Sequence, residues 1–138
     1  MTTHDFLEYL RPGNPAVVLL NGQMGAGKTT FVNRVILELT GEELAQSPTF
    51  SIINHYKTTE TYRHFDIFHA DLYRIKNHNE LLNTDFFEIL CGRNLFFIEW
   101  PYNQVAPAVY EKVAKMGKRV INVTIEVMSD ERRRITIC

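Results

Sequence analysis

Gly22-Gln23-Met24-Gly25-Ala26-Gly27-Lys28-Thr29 decides how this chain is read. Glycine, four residues, glycine, lysine and threonine form the Walker A pattern. In it, backbone amides cradle phosphate, the lysine reaches the β- and γ-phosphates, and the hydroxyl takes a Mg²⁺ position. Four fixed positions arise by chance in roughly half a per cent of chains this long, so the flanks decide. A strand must enter the loop and a helix must leave it.

Both flanks are legible. Ala16-Val17-Val18-Leu19-Leu20 is a short unbroken apolar run, as expected of a parallel strand covered on both faces. Downstream, Phe31, Val32, Val35, Ile36 and Leu39 share one side of a 3.6-residue period, Asn33, Arg34 and Glu38 lie elsewhere, and Gly41 supplies a stop. A helix therefore starts near Lys28. Its free N–H groups and positive dipole end converge with the loop amides on one anion site. Glycines at 22, 25 and 27 let backbone approach a phosphate closely. The nucleotide-contact candidates run from Gly22 through Thr30.

The 138 residues, 45% hydrophobic, suffice for one core, and residues 1–138 are read as a single domain. The net charge of −1 exerts no global pull toward nucleic acid or membrane. From Glu111 onward, seven Lys/Arg face four acids, leaving +3 there and −4 elsewhere, which reads first as a solvated face. Direct contact of this basic end, Arg132 to Arg134 included, with a nucleic acid is the alternative. Cys91 and Cys138 form no disulfide or metal pattern and are read as free thiols of a reducing compartment. The N-terminus has no basic leader and no run reaches membrane-span length, so a soluble, cytoplasmic protein is expected.

Taken in order, Thr3 to Leu10 reads as a short helix closed by Arg11-Pro12-Gly13-Asn14-Pro15. After Gly41, Pro48 forces Ser47 to be extended; Phe50 to Tyr56 and Tyr62 to His69 then read as an antiparallel hairpin. Ser47 and Thr49 stand at its entry, either near the nucleotide or satisfying a local turn. Asp71 either orients Mg²⁺-bound water, with Arg74 offsetting phosphate charge, or forms a solvated ion pair with Arg74. His69 and Asp71 are two apart, but no second pair completes a zinc site, and the five histidines show no triad. Asn77 to Leu90 contains helical material. Leu95-Phe96-Phe97-Ile98 is a second unbroken apolar run with Glu99 at its carboxyl end, the Walker B arrangement. Glu99 is the candidate to hold Mg²⁺ or polarise the attacking water. Trp100 walls the base or a partner surface, or packs in the core. Ile121 to Val127 alternates apolar and polar residues, and Arg134 to Cys138 closes a terminal hairpin. The sum is an α/β, P-loop NTPase-like sandwich with a mixed sheet and few helices.

Four islands, GQMGAGKTTF, SPTFSIINHY, HADLYRI and FFIEWP, together resemble the TsaE family of small P-loop ATPases, in order and spacing and over nearly the whole chain. The resemblance implies an ATP- and Mg²⁺-binding ATPase that supports threonylcarbamoyladenosine modification of tRNA at position 37. It also implies work with the TsaD and TsaB partners, with tRNA met through that complex. By position, it implies that Lys28 and Thr29 hold phosphate and metal, that Thr49 senses the γ-phosphate, and that Asp71 and Glu99 are the acids near Mg²⁺ and water. Two positions depart from the family. Tyr102 stands where an acid is frequent, and Met24 where leucine is usual, a swap that keeps volume.

With Arg74 the one arginine near these motifs, slow isolated turnover is expected, a partner completing the site. Two rivals share the loop. A small-molecule kinase would need an arginine-bearing lid and an acceptor pocket, neither of which is visible. A nucleotide-gated binding module would bind without appreciable hydrolysis, and the lack of an Asn-Lys-x-Asp sequence argues against GTP.

Overall fold

The computed structural model describes residues 3–10, 15–41, 52–57, 66–100 and 106–138. In chain order these form α1 (Thr3–Leu10), β1 (Ala16–Asn21), α2 (Lys28–Thr40), β2 (Ile53–Lys57), β3 (Asp66–Asp71), α3 (His78–Leu82), α4 (Phe86–Cys91), β4 (Asn94–Glu99), α5 (Ala106–Met116), β5 (Val120–Val127) and β6 (Arg133–Ile137).

The two unbroken apolar runs become neighbouring parallel strands at the centre of one six-stranded sheet, ordered β2-β3-β4-β1-β5-β6. Their composition requires this place: β4 is buried along its whole length and β1 along all but its last residue, Asn21. β3 and β5 flank them in parallel, and β2 and β6 close the two edges as antiparallel strands. The fold is thus the mixed-sheet α/β sandwich of the sequence reading, with five short helices among the described residues.

Alternation along the strands divides the core into two layers. Val18 and Leu20 of β1 and Phe97 of β4 face α1 and α2, packing with Phe6, Phe31, Val35 and Ile36. Val17, Leu19, Phe96 and Ile98 face the other helices, meeting Leu81, Phe86, Leu90 and Val109. β1, β3 and β4 run parallel, so their carboxyl ends open on the same edge.

α2 begins at Lys28 and stops at Gly41, which is left-handed (φ 72°) and donates its N–H to Leu37 O at 2.8 Å. The hairpin of β2 and β3 is antiparallel as expected, with Asn54 opposite His69. β3 runs two residues past His69, because Asp71 also pairs with Glu99 of β4. The helical segment after Asn77 splits at Thr84, whose hydroxyl donates to Leu81 O and accepts from Phe86 N. α5 has no counterpart in the sequence reading. Its buried apolar stripe is thin, resting on Val109 and Val113. Phe50 and the stretch 58–65 lie outside the described residues. Both thiols are free and exposed. No helix of the described residues is long and apolar enough to cross a membrane.

Candidate nucleotide-binding site

The loop from Gly22 to Gly27 joins the end of β1 to the start of α2. Gly27 is the N-cap of α2 and no side chain among the described residues caps that helix, so its first amides remain available to an anion. Lys28 folds back over the loop: Nζ donates to Gly22 O at 2.7 Å and to Gln23 O at 3.0 Å. The same ammonium lies 3.7 Å from the centroid of the Trp100 ring. Trp100 leaves β4 with φ 62°, a left-handed turn rarely taken by a bulky residue. Burial lowers the Lys28 pKa, opposed by the charges of Glu99 and Asp71.

The acids converge on the first turn of α2. Glu99, 2% exposed, ends β4 and accepts from the Thr29 hydroxyl, with Oγ1 at 2.8 Å from Oε1 and 3.0 Å from Oε2. His69 Nε2 hydrogen-bonds to Oε2 of the same carboxylate from β3. His69 Nδ1 is buried with no partner among the described residues. Asp71, alternate to His69 and in register with Glu99, accepts from Tyr73 N at 3.0 Å. Burial raises the Asp71 pKa; the Tyr73 amide opposes this, the Glu99 carboxylate adds to it, and His69 and Lys28 oppose it.

These groups line a cleft of about 420 Å³ whose floor is the loop from Met24 through Thr30. Asp71 and Glu99 form one wall; Tyr73, Trp100 and Arg133 form the rest. Tyr73 and Trp100 meet with ring centroids 5.0 Å apart at 43°. Trp100 therefore belongs to the cleft and partly to the core layer behind it.

The structure brings Lys28, Thr29, Asp71 and Glu99 together, as the sequence reading expected. Gln23 contributes its carbonyl, which takes the amide of Ala26 at 3.0 Å as well as Lys28. Met24 is 63% exposed, so its sulfur-containing side chain substitutes for leucine without a packing consequence. Thr49 and Tyr102 lie outside the described residues, as does Ser47.

Two residues of the site were not read from sequence in that role. His69 sat among histidines that showed no triad, yet it hydrogen-bonds the Glu99 carboxylate; the signal was its two-residue spacing from Asp71 on one strand face. Among the described residues, the arginine beside the motifs is Arg133, not Arg74. Arg74 is exposed and does not line the cleft, whereas Arg133 Nε donates to Ala26 O at 2.8 Å. No local spacing announces this, because β6 reaches the loop only by pairing with β5 beside β1. The neighbours of Arg133 are neutralised nearby: Arg132 pairs with Asp130 at 2.5 Å and Arg134 with Glu126 at 3.2 Å.

Comparisons with known proteins agree with this geometry. The family model described as threonylcarbamoyl adenosine biosynthesis protein TsaE matches residues 2–135. The chain is 36% identical over 135 residues to the tRNA threonylcarbamoyladenosine biosynthesis protein TsaE of Rickettsia bellii, covering 96% of this chain and 82% of that one. The TsaE proteins of Rickettsia felis and Bacillus subtilis are 37% and 30% identical over 93% of this chain and 67% and 71% of their own lengths. A strand, glycine loop and helix carrying Lys28 and Thr29 against Glu99, within a match of this extent, show that the chain belongs to the TsaE family.

Proposed function

We propose that this chain is a Mg²⁺-dependent ATPase of tRNA threonylcarbamoyladenosine biosynthesis, acting in the cytoplasm with TsaD and TsaB and meeting tRNA through them. The observation that carries the reading is the contact of Thr29 with Glu99, which joins the first turn of α2 to the end of β4.

The donors suit a small hard cation. A hydroxyl and two carboxylates are oxygen ligands, and Mg²⁺ takes few protein ligands and keeps waters and phosphate oxygens. Such a site needs no cage of protein ligands, because one or two carboxylates with substrate phosphates and waters complete the Mg²⁺ shell. Thr29 and Glu99 would hold Mg²⁺, with Asp71 beside them, and the ion would neutralise charge developing on the phosphates.

The protein's own groups do the rest. Lys28 would exchange the carbonyls of Gly22 and Gln23 for the β- and γ-phosphates. The amides at the start of α2 bind the polyphosphate. Glu99, held by His69 and Thr29, orients and polarises the attacking water. Thr49 is assigned the γ-phosphate contact that couples the nucleotide to partner docking. Phosphate release from ATP, measured alone and with TsaB and TsaD, tests the reading. Partners should raise a low basal rate, Lys28→Ala should abolish it, and Glu99→Ala should lower it roughly a hundredfold or more. Unimpaired turnover in Glu99→Ala would remove that residue from the mechanism, and phosphate appearing on a metabolite rather than in water would replace the ATPase by a kinase.

A further inference from the structure

The three consecutive arginines at the C-terminal hairpin do three different things. Arg132 and Arg134 turn to their own acids, Asp130 and Glu126. Arg133 turns to the phosphate loop. Its Nε donates to Ala26 O at 2.8 Å, and its side chain lies so close over Gly27 that a Cβ there would stand 3.2 Å from Nε and 3.5 Å from Cδ.

We propose that Arg133 is a positioning residue of the nucleotide site, holding the Ala26–Gly27 peptide so that the Gly27 N–H faces the polyphosphate. The Ala26–Gly27 peptide is trans, so its C=O and the following N–H point to opposite sides of the chain. A donor gripping Ala26 O from one side therefore turns the Gly27 N–H to the other. Gly27 is left-handed and takes no side-chain strain from either orientation, so the peptide needs an outside contact to fix it. The guanidinium supplies that contact through Nε, which commits none of the donors of its two terminal amino groups, and Arg133 is among the residues lining the cleft. Those donors add a fixed positive charge at the rim of a phosphate site, where a planar fork binds oxygen anions well. Ala26 itself is buried, so its carbonyl would lose a partner if the arginine were removed.

The inference rests on the nucleotide reading above and deepens it. Calorimetric binding of ADP and of tripolyphosphate separates the two, with Lys28→Ala and Arg134→Ala measured in parallel. Arg133→Ala should weaken both ligands roughly tenfold, as expected for loss of one charge-assisted contact. Arg133→Gln, which keeps a donor for Ala26 O without the charge, should recover part of the loss. Arg134→Ala, on the same strand, should bind as the wild type does and report that β6 is intact. In turnover, Arg133→Ala should raise KM with kcat little changed, a split that general loosening of the fold does not give. Tight binding by Arg133→Ala beside a wild type that also binds would overturn this inference and leave the nucleotide reading standing. An equal loss in Arg134→Ala would overturn it too, by making the effect one of hairpin charge. A wild type that binds neither ligand would overturn both.

Discussion

Thr29 and Glu99 are 70 positions apart, and their hydrogen bond exists because β1 and β4 are paired with Leu20 opposite Glu99. Around that bond each charge has a neighbour: Glu99 takes Thr29 and His69, and Lys28 takes two carbonyls and an indole face. Asp71 is less well served, being held by the Tyr73 amide while burial and the Glu99 charge favour its neutral form. A carboxyl whose native pKa is raised binds its proton more tightly when folded. That contribution is present at acid pH and lost as pH rises through the native value. Above it, the ionised side chain costs stability that an amide does not. Asp71→Asn should therefore match the wild type at pH below the ordinary carboxylate range and become the more stable protein as pH rises past it. The gain at neutral pH should be only about 1–2 °C in Tm, since the site is partly exposed and solvent screens it. Thermal melts from about pH 2.5, below the ordinary Asp value of about 3.9, to about pH 7 check this, and a variant less stable at neutral pH would mean that Asp71 serves the fold. Lys28, Thr29 and Glu99 were legible in the sequence because a loop motif and a strand-end acid are local patterns. His69 became part of the site only with the register of β3 on β4.

At the scale of elements, the loop owes its shape to a strand it does not pair with. A Cβ at Gly22 would stand 2.6 Å from Ile125 O and 3.3 Å from Ala26 Cβ. Ile125 is locked in β5 opposite Ile135 of β6, so its carbonyl does not yield. Gly25 is different: its φ of 81° disfavours a side chain, but nothing lies within 4 Å of the Cβ position. Gly22→Ala should thus cost about 1–3 kcal/mol through overpacking on top of the cost of its own φ of 153°, and Gly25→Ala about 1 kcal/mol through backbone conformation alone. Urea unfolding of the two variants ranks them, and a larger loss at Gly25 would show that the contact with β5 is not what limits the loop. The same contrast explains what was readable. β1, β4 and α2 bury wide apolar surfaces, and their patterns are correspondingly strong. α5 packs a narrow stripe, and β6 is mostly exposed, so neither its partner loop nor the reach of Arg133 is written in its own periodicity.

At the scale of the whole molecule, the sheet order places chain-distant segments side by side, and the hairpin of β5 and β6 is therefore near both the loop and α1. α1 packs Phe6 edge-on against Phe31 of α2, with centroids 5.2 Å apart. Its C-terminal carbonyls are answered from across the chain: Arg119 Nη1 donates to Leu10 O at 2.6 Å and Nη2 to Tyr9 O at 2.7 Å, while the guanidinium lies 5.4 Å from the Tyr9 ring. Helix ends carry unpaired carbonyls, and a cation there meets the negative end of the dipole. Arg119 consequently ties the first helix to the start of β5 and, through β5, to the wall behind the loop. Arg119→Ala should cost about 1–2 kcal/mol, because water replaces part of what the fork supplies at a half-exposed site. Phe6→Ala should cost about 3–5 kcal/mol, because a fully buried ring leaves a cavity. Arg119→Lys should fall between Arg119→Ala and the wild type, since an ammonium keeps the charge and loses the two-pronged geometry. Urea midpoints measure all three at constant slope. An Arg119→Ala midpoint equal to that of the wild type would mean that apolar packing alone holds α1 in place, with the arginine contributing nothing to the union of the two ends of the chain.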